Sequence, residues 1–158
     1  MATKADCRIV SPHQARVYKL KYGEARILMD GERSGGAWWM GLFREDAGFM
    51  TPLHLHPRMD EQLFVLEGVL SLYLDGGWND LEAGTLAIVP RGTPHAQGNH
   101  GKEPVVLLGA GNPAGFEGFF AAQDRILSRI APGDPQIAVE LASALSRHET
   151  QVLGPPPR

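Results

Sequence analysis

Three histidines and a glutamate stand at spacings that suit a divalent metal. His54 and His56 are two residues apart, Glu61 follows, and His95 comes later in the chain. Neutral imidazoles and a carboxylate are the donors that first-row transition metals take. Such a set leaves one or two positions open on a five- or six-coordinate ion. A catalytic site needs that opening and a structural site lacks it. The donors suit one ion of iron, manganese, nickel, cobalt, copper or zinc without choosing among them.

The elements around these residues must bring them together. Residues 49–56 have a period of two, which puts Met50, Pro52, His54 and His56 on one face of a strand. Pro52 cannot donate to a ladder, so the strand is expected at an edge or interrupted there. Glu61 has the wrong parity for one continuous strand. The turn at 57–60 must reverse the chain so that Glu61 meets the histidines from a neighbouring strand. The turn at 90–94 must bring in His95.

The rest of the chain reads as short strands with frequent turns. Strands are expected at 26–29, 37–43, 61–66, 69–74, 78–81, 85–89, from His95 onward, and at 105–108. The run 37–43 is rich in aromatics and reads as buried on both faces. Residues 44–48 read as a turn. This spacing points to an all-β sandwich or barrel. After Gly111 the period changes. Asn112 and Pro113 look like the start of a helix carrying Phe116, Phe119, Phe120, Gln123, Ile126, Leu127 and Ile130. A second helix is expected from Asp134, with a stripe of Ile137, Leu141, Ala144, Leu145 and His148. Residues 154–158 read as a tail.

At 158 residues one domain is expected over 1–158, with a barrel core at about 24–111 and a helical extension at 112–158. The net charge of −3 comes with scattered basic residues, which points away from nucleic acid and from an anionic membrane. The single Cys7 excludes an internal disulfide and reads as an incidental thiol. No apolar run reaches the roughly 20 residues that span a bilayer. The first residues lack the apolar stretch of a signal peptide, so a cytoplasmic location is expected.

Two runs carry a resemblance. Gly48, His54, His56, Glu61 and Gly68 match every fixed position of the first motif of the cupin superfamily. Gly84, Pro90, Gly92, His95 and Asn99 match the second. The resemblance implies a double-stranded β-helix, or jelly-roll, barrel with a metal at His54, His56, Glu61 and His95. It also implies a homodimer. The runs 53–68 and 90–96, with the ending from Pro113, are similar to single-domain cupins of the quercetinase-like flavonol dioxygenase group. That likeness implies a dioxygenase acting on a phenolic or enolisable small molecule, with O₂ as co-substrate. Glu61 would then also serve as the catalytic base, and the three histidines would hold the metal as Lewis acid and template. The superfamily also contains redox-neutral polyketide cyclases, isomerases and decarboxylases, and non-catalytic binding proteins.

Parity names the pocket. Met50 precedes the histidines on their face, and Leu63 and Val65 follow Glu61 on its own. Gln97 shares the parity of His95 and is expected to reach a ligand. Phe116, with Phe119 and Phe120, either caps the mouth or belongs to a stripe packed on the barrel. The pocket is therefore expected to be dry and apolar, with Arg58 and Arg91 at its rim and no basic cluster facing it. On the reverse side of the Glu61 strand, Phe64 and Leu66 need cover from a helix, a sheet or a partner subunit.

Overall fold

The computed structural model describes residues 9–158. Cys7 lies outside the described residues. The strands are β1 (Val17–Leu20), β2 (Gly23–Met29), β3 (Trp39–Glu45), β4 (Leu53–Leu55), β5 (Asp60–Glu67) and β6 (Val69–Leu74). They continue with β7 (Gly77–Glu82), β8 (Leu86–Val89), β9 (Ala96–Gly98), β10 (Val105–Asn112) and β11 (Gln151–Gly154). The helices are a single turn α1 (Gly31–Ser34), α2 (Gly118–Arg129) and α3 (Gln136–Arg147). Among the described residues no helix is long and apolar enough to cross a membrane.

Two antiparallel layers face each other. One is a six-stranded sheet in the order β1-β2-β3-β10-β5-β8. The other is made of β7-β6-β9 and β11-β4, joined by the bridges Met50–Gly98 and His54–His95. Residues alternate inward and outward along each strand, and the inward rows form the core. Leu63, Val65, Leu70, Leu72, Val105 and Leu107 are all buried there. Each such side chain contributes about 1.5–3 kcal/mol on leaving water. This is the double-stranded β-helix expected from the motifs, with helices following it.

Some elements depart from the sequence reading. Strand β3 alternates rather than burying both faces. Trp39, Phe43 and Glu45 point in, while Met40 and Leu42 are half-buried on the outer face. The run read as a turn at 44–48 thus still carries the end of this strand. Helix α2 begins at Gly118, later than Asn112–Pro113 suggests. The intervening loop is tied down by Glu117, whose carboxylate accepts from the backbone N–H of Gly31 and of Gly115. The chain also continues as strand at Gln151, where β11 pairs with β4 and sets Val152 opposite His54.

The helices close the barrel's side. Phe119 and Phe120 are buried, and Phe120 lies 5.0 Å from Phe43 and 5.9 Å from Trp39, ring centre to ring centre. That is the packed stripe, and it contributes aromatic contacts worth about 0.5–1.5 kcal/mol per pair beyond area burial.

Candidate metal centre

The four ligand candidates come from both layers. His54 lies on β4, His56 just beyond it, Glu61 on β5 and His95 immediately before β9. Two turns are fastened to each other to achieve this. The N–H of Gly92 donates to the carbonyl of His56 at 2.8 Å. Gly92 sits at φ +79°, a left-handed conformation that glycine adopts without strain. Beside it, Asp60 accepts from the backbone N–H of Arg91 and, through both oxygens, from its guanidinium at 3.0 and 2.7 Å. That hydrogen bonding holds the Asp60 carboxyl down at about 2. Arg91 therefore joins the two motifs, a structural role beyond that of a rim charge.

One potential ligand atom from each of the four side chains lies within 4.8 Å of the others. All four residues are buried. The second nitrogen of each ring is engaged. His54 Nδ1 lies 2.8 Å from the carbonyl oxygen of Pro52, and His95 Nδ1 lies 2.9 Å from that of Thr93. A carbonyl only accepts, so both Nδ1 atoms carry a hydrogen; the Nε2 of His54 presents a lone pair, and the Nε2 of His95 faces a Glu61 carboxylate oxygen. His56 Nδ1 faces the hydroxyl of Thr150 at 3.2 Å, and that hydroxyl can donate onward to the carbonyl of His148. The three Nε2 atoms thus turn toward Glu61. Glu61 Oε2 is 2.9 Å from His95 Nε2 and 3.8 Å from His56 Nε2.

His56 Nε2 is buried with no hydrogen-bond partner among the described residues. Leaving a polar group in that condition costs about 1–3 kcal/mol unless something else meets it. A cation bound by the cluster would meet it, and the donor set fits one. Electrostatics agrees. Burial pushes His54 down to about 4, and pushes His56 below its ordinary value. Burial alone would raise Glu61, but the hydrogen bond from His95 and the neighbouring imidazoles hold it below its ordinary value. Burial likewise opposes a charge on His95, and its hydrogen bond to Glu61 outweighs that and raises it. At neutral pH His54 and His56 are neutral and Glu61 is ionised, as a metal requires. A metal taking His95 Nε2 would displace its hydrogen bond to Glu61.

The pocket residues fall in different places. Leu63 and Val65 are buried on the inner side of β5, next to Glu61 in parity. Phe116 is half-buried with its ring edge-on to His56, centres 4.8 Å apart, and touches Trp39 on its other side. Met50 sits elsewhere. It bridges Gly98, which faces the same way as Ser71, and a Cβ at Gly98 would run into the Met50 sulfur. Three residues (51–53) stand against two (96–97) between the bridges, so parity changes at the bulge around Pro52. Gln97 shares the inner face with Leu72, but its amide is committed to another side chain, Glu45.

Glu45 escapes the sequence reading. It is 1 % exposed, and one of its carboxyl oxygens, Oε2, has no partner among the described residues. Burial pushes the carboxyl up to about 8, against the hydrogen bond from Gln97. The available signal was parity, since 39, 43 and 45 alternate onto one face. Thr150 also went unread, because nothing local in the chain marks a residue that meets His56 across 94 positions. Asn99 donates to the carbonyls of Glu45 and Glu103 at a strand end.

A cavity of about 500 Å³ opens beside His56, lined by Pro57, Met59, Pro113 and Phe116 and by Arg58, Arg91, Arg147, His148 and Glu149. The expected absence of a basic cluster therefore does not hold at this mouth. Arg58 is paired with Glu149 and Arg91 with Asp60, whereas Arg147 donates to the Ser143 hydroxyl. A larger groove, about 760 Å³, lies between residues 9–18 and α2 and touches none of the four ligands.

The family description of the Cupin domain matches residues 41–110. Quercetin 2,3-dioxygenase of Bacillus subtilis is 32 % identical over 103 residues, covering 59 % of this chain and 31 % of that protein. Germin-like protein 1-1 of Oryza sativa is 40 % identical over 70 residues, covering 41 % of this chain and 32 % of that one. The chain thus spans about a third of the length of these curated relatives. Among solved structures, the polyketide cyclase RemF of Streptomyces resistomycificus superposes with a TM-score of 0.60 at 20 % identity, over 68 % of this chain and 80 % of its own. The two motifs, the converging ligands and the matched segment together identify residues 41–110 as a cupin domain, and the chain resembles the quercetinase-like members.

Proposed function

We propose that His54, His56, Glu61 and His95 bind one divalent transition metal, and that the chain is a dioxygenase acting with O₂ on a phenolic or enolisable small molecule. The observation that carries the metal is the convergence of three Nε2 atoms on Glu61, with His56 Nε2 buried and without a partner. The similarity to quercetin 2,3-dioxygenase favours oxidative chemistry. Bound there, the metal would supply Lewis acidity and a template for the substrate's oxygens.

The chain's own residues do the remaining work. Pro52, Thr93 and Thr150 fix the three imidazoles in one tautomer. The carboxylate of Glu61 is ionised and central, placed to take a proton from a substrate hydroxyl. Leu63 and Val65 keep the chamber dry, which strengthens every charge interaction inside it. Phe116 lines the outer cavity beside His56, and Arg147, hydrogen-bonded to Ser143 rather than to a carboxylate, offers that mouth a cation for electron-rich oxygens.

A redox-neutral reading, such as a cyclase or isomerase, is favoured by Glu45. A neutral carboxyl inside the barrel is a proton donor that such a reaction can use and oxygen insertion does not require. Oxygen consumption by metal-loaded protein with flavonols and β-diketones separates the two. Uptake establishes the first reading, and turnover without uptake the second. Metal content after purification tests the centre itself. His54→Ala and Glu61→Ala should lose the metal, and full retention in both would refute the assignment.

We also propose that the chain pairs with a second copy through the outer face of the six-stranded sheet. Leu42, Leu108, Phe64 and Leu86 are successive cross-strand neighbours there, with Ile88 62 % exposed beside them. This apolar row, flanked by Arg26 opposite Leu42, would be covered by the same row of a second copy.

A further inference from the structure

Along the inner face of the barrel nearly every side chain is apolar. Leu63 and Val65 on β5, Leu70 and Leu72 on β6, and Leu107 on β10 belong to one buried cluster. Beyond the metal ligands, Glu45 and Gln97 form a polar pair on the inner rows. Glu45 closes β3, opposite Val105 on one side and Gly23 on the other. Gln97 reaches it from the facing layer and donates its amide Nε2–H to Glu45 Oε1 at 2.5 Å. Gln97 stands two positions after His95 on the chain that supplies the ligand. The pair therefore borders the same interior as the metal centre, and the charge of Glu61 is felt at Glu45.

The pair is half satisfied. Oε1 accepts from Gln97, so in the neutral carboxyl the hydrogen sits on Oε2. That atom is buried and meets no acceptor among the described residues. Buried polar atoms in folded proteins are almost always matched, and an unmatched one beside a reaction site points to a ligand.

We propose that Glu45, held by Gln97, is a second recognition point for the substrate of the metal centre, donating its Oε2–H to an oxygen remote from the chelating ones. The inference rests on the metal reading above and narrows the substrate class. The molecule carries two adjacent oxygens at one end for the metal, an apolar body, and a hydroxyl or carbonyl oxygen at the other end.

Two hydroxypyranones differing by one hydroxyl test this. Allomaltol carries the chelating hydroxy-ketone and a methyl group; kojic acid has a hydroxymethyl group in place of that methyl. Both are titrated into cobalt(II)-loaded protein, following the visible cobalt spectrum and the heat of binding. The wild type should bind kojic acid about tenfold more tightly, the value of one good buried hydrogen bond. In Glu45→Leu the ratio should fall to within about twofold while allomaltol binding is nearly unchanged. Glu45→Met serves in the same way where the leucine variant fails to fold. Equal binding of the two by wild type, or a preference that survives in the variant, overturns the proposal. Cobalt that is bound but unresponsive to either probe overturns the chelation reading instead, because the spectrum reports the chelate and the ratio reports Glu45.

Discussion

Glu45→Gln separates the electrostatics of Glu45 from its shape. The amide fills nearly the same volume and can still accept from Gln97, but it cannot ionise. In the native protein burial raises the carboxyl from its ordinary 4.5 to about 8. Its folded value is therefore above its unfolded value. Below pH 4.5 the group is neutral in both states and costs the fold nothing. Between pH 4.5 and 8 the unfolded chain releases the proton and the native protein holds it, so stability falls as pH rises. At 1.36 kcal/mol per pH unit the difference amounts to about 5 kcal/mol, a ceiling that relaxation and water penetration reduce.

The substituted protein lacks this slope. Melting temperatures of the two proteins should nearly coincide at pH 4.5 to 5 and diverge toward pH 8.5, with Glu45→Gln the more stable. For a chain of this size 1 kcal/mol shifts the melting temperature by about 2–4 °C, so the gap should open to as much as roughly 10–20 °C. The metal ligands titrate in both proteins, and the difference between them cancels that contribution. A gap that stays constant from pH 5 to 8.5 would refute the reasoning, because it would mean that Glu45 ionises in the folded state at an ordinary pH.

Other parts of the structure give further expectations. Thr150→Val removes the acceptor for His56 Nδ1–H and should weaken metal affinity about 10- to 100-fold, measured by competition with a chelator, while Thr150→Ser restores it. The Asp60 carboxyl should titrate near pH 2 by NMR in the wild type and return toward an ordinary carboxylate value in Arg91→Ala. Phe64→Glu or Ile88→Glu should yield monomers by light scattering with the fold intact by circular dichroism; an unchanged mass would remove this face as the pairing surface.

Much of the site was legible because its spacing is local. His54 and His56 are two residues apart, and a strand points both the same way. The turns at 57–60 and 90–94 are marked by proline and glycine, whose backbone preferences are intrinsic. What stayed hidden depends on partners far away in the chain. Met50 has the parity of His54, yet a bulge at Pro52 sends it to the other side. Thr150 reaches His56 because β11 happens to pair with β4, and the short segment 151–154 has no pattern that announces such a pairing. The basic mouth arises in the same way, since Arg147 and His148 arrive on the end of a helix whose placement depends on packing. Glu45 was hidden for another reason. A charged residue beside Asp46 and Gly48 reads as a turn, and burial of a carboxylate is rare enough that composition argues against it.

That rarity gives the two interior carboxylates their meaning. Glu61 and Glu45 are both buried, yet their environments drive them apart. Glu61 is met by imidazoles and stays ionised, whereas Glu45 is met by one amide and an apolar wall and stays neutral. A pair of acids tuned in opposite directions provides a proton acceptor and a proton donor in one chamber at one pH. Had the barrel needed only to hold a metal, Glu61 would suffice, and an apolar residue at 45 would pack against Val105 without the cost of a buried carboxyl. A cost retained beside the metal centre is best explained by contact with what binds there. On the proposal above one substrate would span from the ligands to Glu45, with the cavity beside His56 and Phe116 as its entrance.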